Sequence, residues 1–272
     1  LIRLTLPALA CIVGLAGCAA AERANAPIPM ASATVGQGPS YLSEAAHRAL
    51  GEAVPAAPVV GSAEEAADRA RSDRYRALEG GDRWMLATAH AELRAPYAFA
   101  HFDCALGTRL NERPRPALQA LFDKLLHDAD AAAEIAKARL TRPRPVADDA
   151  ERAACQRLTD AQKRTPSHPS GSATVGVAYA EALAELVPDR AAEVRASGEQ
   201  IALSRAICGM HYPSNVEDGA DLGRAVAAAV IATPAFQADA AAARVELAQA
   251  RAEGLTHPGC AAERAALALP LP

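Results

Sequence analysis

PRPALQALFDKLLHDADAAAEIAKARLTRPRP, residues 114–145, decides the fold class. Leu118, Leu121, Phe122, Leu125 and Leu126 recur at the three- and four-residue spacing of a single helical face. Pro114 and Pro116 sit where a first helical turn tolerates a missing N–H. The same run continues through Ile135 and Lys137 until Pro143 and Pro145 stop it. Working outward, the signals repeat. Ser62-Ala63-Glu64-Glu65 is a capping box ahead of an alanine-rich run that Gly80 and Gly81 end, and Asp82 can cap the next helix, which carries Trp84, Leu86 and Leu93. Helices are expected near Asp148 to Arg164, from Ser172 to Leu186, and from Pro188 to about Gly209. Ser214-Asn215-Val216-Glu217 is a second capping box, and Thr233-Pro234 opens a last long helix to about Arg251. Strand-like alternation is nearly absent and aromatic residues are 4% of the chain, so the expected fold class is all-α.

Upstream, Arg3 precedes an apolar run from Leu4 to Ala16 that is too short to span a bilayer as a mature helix and reads as a signal peptide. The run closes in Leu15-Ala16-Gly17-Cys18, which resembles a bacterial lipobox, where cleavage before the cysteine exposes it for diacylation. Ordinary secretory cleavage near Ala20 or Ala21 is the alternative, and either route exports the protein. From Ala19 to about Val60 the composition is Ala, Pro, Ser and Gly with little periodicity, as in a tether. The expected organisation is a lipoprotein leader over 1–17, a tether over 18–60 and one helical domain over 61–272. Its expected location is the periplasm, anchored by lipid to the outer membrane.

A formal net charge of −4 with a pI near 6.0 provides no basic field for a polyphosphate backbone, so nucleic acid is not an expected partner. Cys11 leaves with the leader and Cys18 would carry lipid, which leaves Cys104, Cys155, Cys208 and Cys260. Four thiols in an oxidising compartment suggest two disulfides with three possible connectivities. None of the spacings is that of a zinc site. Cys155 is the preferred partner of Cys208, where a bridge would brace the segment between Arg205 and His211.

Three short blocks carry the chemistry. Lys137 is separated by six residues from the pair Arg144-Pro145; Pro169-Ser170-Gly171 follows; Ser204-Arg205 is separated by five residues from His211. Together they resemble the tripartite signature of the class A bacterial non-specific acid phosphatases, K-x6-R-P, P-S-G-H and S-R-x5-H-x3-D. That signature marks the wider superfamily of type 2 phosphatidic acid phosphatases and vanadium haloperoxidases. The likeness extends from Pro58-Val59-Val60-Gly61-Ser62 through Arg83-Trp84 and Cys104-Ala105-Leu106-Gly107 to Pro234-Ala235-Phe236-Gln237.

The resemblance implies a compact helical bundle with a phosphate site between core helices. Lys137, Arg144 and Arg205 match the cationic ligands, Ser170 adds a hydroxyl, and Gly171 offers a backbone N–H at a helix N-terminus. His211 matches the nucleophile, whose Nε2 would attack phosphorus to form a phosphohistidine that water hydrolyses. No metal or other cofactor is needed. The implied partners are small phosphomonoesters and inorganic phosphate, with membrane contact through the lipid anchor alone; assembly into a homo-oligomer is left open.

Two positions depart from the signature. Ser172 stands where the family has the histidine that protonates the leaving group, and losing such acid catalysis typically costs roughly 10²–10⁴ in rate. Asn215 replaces the aspartate that orients the catalytic ring; in serine proteases the equivalent change costs roughly 10⁴ in turnover. His168 is the candidate substitute acid, although the residue before Pro169 is expected to be extended and solvated. The functional expectation is therefore an acid phosphatase of reduced activity. The alternative is a phosphate- or phosphoester-binding lipoprotein that has lost turnover, and a vanadium-dependent haloperoxidase is a distant third.

Overall fold

A computed structural model describes residues 38–272; the leader, Cys11 and Cys18 lie outside them. The described residues form helices and turns with no strand. In chain order the helices are α1 (Glu44–Glu52), α2 (Ala63–Arg74), α3 (Asp82–Ala89), α4 (Asp103–Leu106), α5 (Pro116–Arg139), α6 (Pro145–Asp148), α7 (Asp160–Lys163), α8 (Gly171–Leu186), α9 (Ala191–Ile207), α10 (Pro213–Ile231), α11 (Pro234–Ala252) and α12 (Cys260–Ala268). No single one is long and apolar enough to cross a membrane.

The core is built around α8, which buries residues on its whole circumference, as an apolar-all-round helix must. α5, α9 and α10 pack on it. Leu118, Leu121, Phe122 and Leu125 of α5 are fully buried, and Phe122 stacks on Tyr179 of α8 at 4.1 Å. Pro116 opens α5, and the next two N–H groups, of Ala117 and Leu118, donate to the Glu246 carboxylate of α11 at 3.0 and 2.9 Å. α10 crosses α8 backbone to backbone: a Cβ on Gly219 would lie 2.6 Å from the Ser170 carbonyl oxygen, and one on Gly223 2.5 Å from that of Thr174. Glycine at these positions is what lets α10 press against the first turn of α8.

Three expectations change. The tether does not extend to residue 60, because α1 packs on α5. The buried carboxylate of Asp128 gathers the Tyr41 N–H at 3.0 Å, His47 Nε2 at 2.7 Å and the Ser40 hydroxyl, so this segment is docked by a buried charge whose acceptors are filled. The helix expected over Asp148–Arg164 shrinks to the single turns α6 and α7. Between them the Arg152 guanidinium reaches the Ser72 carbonyl at 2.7 Å and Cys155 is bridged to Cys208, and both ties pull the chain off a helical path. At α10, Pro213 takes the first helical position and moves the N-cap to Tyr212; Ser214 turns instead to Asp68, which accepts from its N–H at 3.0 Å and its hydroxyl at 2.7 Å. The capping serine at position 62 and threonine at position 233 act as expected, accepting from Glu65 N and Phe236 N.

The four cysteines pair as Cys155–Cys208 and Cys104–Cys260. The sequence separations are 53 and 156 residues. In a chain-entropy account, closing such loops stabilises the fold by about 4 and about 5 kcal/mol.

Candidate active site

The three blocks fall on four helix ends that converge. Lys137 is in the last turn of α5, Arg144 is the N-cap of α6, Ser170 and Gly171 begin α8, and Arg205 lies near the end of α9. His211 follows a tight reversal after α9 in which Gly209 has φ +68°, and both Met210 N and His211 N donate to the Arg205 carbonyl at 3.2 Å. Position 209 requires a residue at ease in the left-handed region.

His211 is almost completely buried, and its two ring nitrogens have distinct partners. Nδ1 lies 2.7 Å from the Ser167 carbonyl oxygen, and Nε2 lies 3.0 Å from Nη1 of Arg144. A carbonyl can only accept and a guanidinium can only donate, so Nδ1 carries the proton and Nε2 the lone pair. That is the tautomer a nucleophilic Nε2 needs. Burial first, then the charges of Arg144, Arg205 and Lys137, hold the ring well below its ordinary pKa, so it stays neutral in mild acid.

Both buried arginines lack an acidic partner among the described residues. Arg144 donates to Thr165 Oγ1 at 2.9 Å, to the Met210 carbonyl at 3.1 Å and to His211. Arg205 reaches Gln156 Oε1 at 3.2 Å and Cys208 Sγ at 3.9 Å, and its Nε has no partner. Burial brings each down to about 10, and the charge of Arg144 adds to the effect on Arg205; both remain cationic at neutral pH. Keeping two unpaired guanidiniums out of water is costly unless an anion completes them.

Lys137 pairs with Glu134 one turn back, and a Cβ built on Gly171 would lie 3.2 Å from its ammonium, so the lysine reaches the start of α8. There the Ser170 hydroxyl caps Ala173 N at 3.3 Å, which leaves the N–H groups of Gly171 and Ser172 without an acceptor inside the helix. Ser172 is partly exposed at the second position of α8.

Residue 215 is placed differently from its expected role. Asn215 Nδ2 donates to the Ser167 carbonyl at 3.0 Å and to Ser167 Oγ at 2.7 Å, while its Oδ1 accepts from Arg142 at 2.7 Å. It therefore steadies the carbonyl that holds the ring, and the tautomer is set by a backbone oxygen rather than by residue 215. Arg142, which the motifs do not mark, holds Asn215 in turn: it pairs with Asp68 at 2.9 Å and lies over the Tyr212 ring at 4.1 Å. The doublet Arg142-Pro143-Arg144-Pro145 is its one trace in the sequence. His168 is not solvated. It is fully buried with Nε2 3.0 Å from the Pro55 carbonyl, so its donor is already used.

Since the Ser167 carbonyl rather than residue 215 fixes the ring, Asn215→Asp should shift kcat on an aryl phosphate by no more than about tenfold. A change nearer the roughly 10⁴ of the serine-protease case would mean that residue 215 controls the tautomer directly.

Elsewhere, a surface groove of about 340 Å³ between α2, α9 and α10 has its charges already paired, Arg71 with Glu217 and Arg224 with Glu199. The cluster Cys104, His257 and Cys260 has both sulfurs in a disulfide. Neither competes with the cradle as a site.

The PAP2 superfamily profile matches residues 117–238, from α5 into α11, and so spans all three blocks. An acid phosphatase of Zymomonas mobilis is 32% identical over 199 residues, covering 73% of this chain and 75% of that protein. A non-specific acid phosphatase of Providencia stuartii is 31% identical over 189 residues, covering 68% of this chain and 75% of its own. One from Salmonella typhimurium is 29% identical over 172 residues, covering 63% and 69%. With a shared profile, a relative matched over three quarters of its length and a helical cradle built from the three blocks, the chain belongs to the bacterial non-specific acid phosphatase family of the PAP2 superfamily.

Proposed function

We propose that this protein is an exported phosphomonoesterase that transfers the phosphoryl group to His211 Nε2 and then to water. One observation carries the reading: a buried imidazole with its lone pair on Nε2 touches the Arg144 guanidinium and feels the charge of Arg205, and among the described residues neither buried guanidinium has an acidic partner. An anion with several acceptor oxygens fits Arg144, Arg205, Lys137 and the free N–H groups at the start of α8. Binding it draws Nη1 of Arg144 off His211 and frees Nε2 to attack. As the Nε2–P bond forms, positive charge spreads to Nδ1–H, where the Ser167 carbonyl stabilises it. The acid phosphatases among the relatives support phosphomonoesters as substrates.

Residue 172 gives the departing oxygen no proton, because a serine hydroxyl is a poor acid, so turnover is reduced relative to a site with histidine there. Lipid attachment at Cys18 and an outer-membrane location rest on Leu15-Ala16-Gly17-Cys18. Two disulfides accord with an oxidising compartment.

The test is kcat on p-nitrophenyl phosphate as a function of pH. At an ordinary pKa of about 6.5, most of the ring would be protonated at about pH 5 and kcat would fall more than tenfold from its value at about pH 7. Here burial is the largest cause of the lowered pKa and survives anion binding, so kcat should stay level over that range. A tenfold loss would contradict a neutral buried nucleophile. No turnover at any pH, with phosphate still raising Tm, would favour a binding protein that retains the clamp, the reading that Ser172 alone supports.

A further inference from the structure

Asp130 lies two helical turns before Lys137 on the same face of α5. A Cβ on Gly171 would lie 3.6 Å from its Oδ1 and 3.2 Å from the ammonium of Lys137, so carboxyl and ammonium both reach the bare first residue of α8. Asp130 makes no hydrogen bond or ion pair with any described residue, and the ion pair of Lys137 goes to Glu134 instead. A carboxyl group beside the phosphate cradle with no structural partner calls for a role, since as a carboxylate it would repel the anion that the cradle collects.

The adjacent residue, Ser172, cannot itself protonate the departing oxygen, because its hydroxyl is a poor acid. We propose that Asp130, as the neutral carboxylic acid, protonates the leaving-group oxygen in place of residue 172. The inference rests on the phosphohistidine reading above. In the first step the Nε2–P bond forms, the P–O bond to the alcohol breaks, and the Asp130 proton moves to the departing oxygen. This leaves alcohol, carboxylate and phosphohistidine. In the second, water attacks phosphorus, the P–N bond breaks, and Asp130 takes a proton from the water and is restored as acid. Burial, reinforced by Glu134, raises its pKa against the opposing effects of Lys137 and His127, which favours the protonated form the first step requires.

The test compares kcat on glycerol phosphate and on p-nitrophenyl phosphate in the full chain. Asp130→Asn should lose about 10²- to 10³-fold on glycerol phosphate, whose alkoxide cannot leave unprotonated, and change less than about tenfold on the aryl ester. Ser172→His in the Asp130→Asn background should restore the alkyl activity, which a merely structural aspartate would not allow. An intact phosphate-induced rise in Tm in Asp130→Asn verifies the cradle. Equal losses on both esters, or none on either, overturn the proposal. If the variant fails to fold, the wild type decides: a shallow dependence of rate on leaving-group pKa supports an acid, and a steep one overturns it. A wild type inactive on both esters removes the phosphatase reading itself, and this proposal with it.

Discussion

His211→Ala should lower kcat on every phosphomonoester by an amount on the order of 10⁴- to 10⁶-fold, the range seen when the nucleophile or base of a catalytic unit is deleted. The expectation follows from position rather than motif alone. Nε2 presents its lone pair to the Arg144 guanidinium, whereas the Thr165 hydroxyl that Arg144 also touches has its proton engaged by the Gln162 carbonyl, and no cysteine thiol is free nearby because Cys155 and Cys208 are bridged. Phosphate should still raise Tm in the variant, since Lys137, Arg144, Arg205 and the start of α8 remain. Discontinuous phosphate-release assays and thermal melts with and without phosphate check both halves. Turnover within tenfold of wild type would remove His211 from the chemistry.

Arg205→Met should cost about 10²- to 10³-fold in kcat/KM and abolish the phosphate-induced rise in Tm, because a donor aimed at the transferring oxygens is lost. The unliganded protein should not melt earlier. Arg205 is 2% exposed, its Nε has no partner and its contacts are uncharged, so its burial without ligand is a cost that an apolar side chain of similar length relieves. Function and stability pull apart at this position. A variant that melts earlier yet keeps its response to phosphate would make Arg205 a structural residue.

What was legible in the sequence was what is local in it. Each block sits at a helix end, where proline, glycine and charge declare both the break and the chemistry, so Lys137, Arg144, Ser170, Gly171, Arg205 and His211 stand out before any fold is known. The Ser167 carbonyl that sets the tautomer of His211 could not be read, because every residue has a carbonyl and only the turn decides which one faces the ring. Arg142 was obscured for a related reason: its partner Asp68 comes from α2, far upstream, and only packing joins them. Asp130 carries no motif, and its place beside Gly171 depends on how α5 meets α8. The segment around α1 reads as a tether by composition, yet the buried carboxylate of Asp128 holds it through contacts that composition does not record. Histidine 168 reads as solvated because it precedes a proline, and the Pro55 carbonyl, brought in by that same segment, buries it instead.

The central claim is that the phosphoryl group passes through His211 rather than directly to water. The stereochemical course at phosphorus tests it without requiring an intermediate to accumulate. With an aryl ester whose phosphoryl oxygens are isotopically chiral and an acceptor alcohol in place of water, two in-line displacements give net retention of configuration in the transferred group. Retention is the predicted result. Inversion would show a single displacement, with the acceptor attacking phosphorus directly while His211 merely positions it, and would contradict the account.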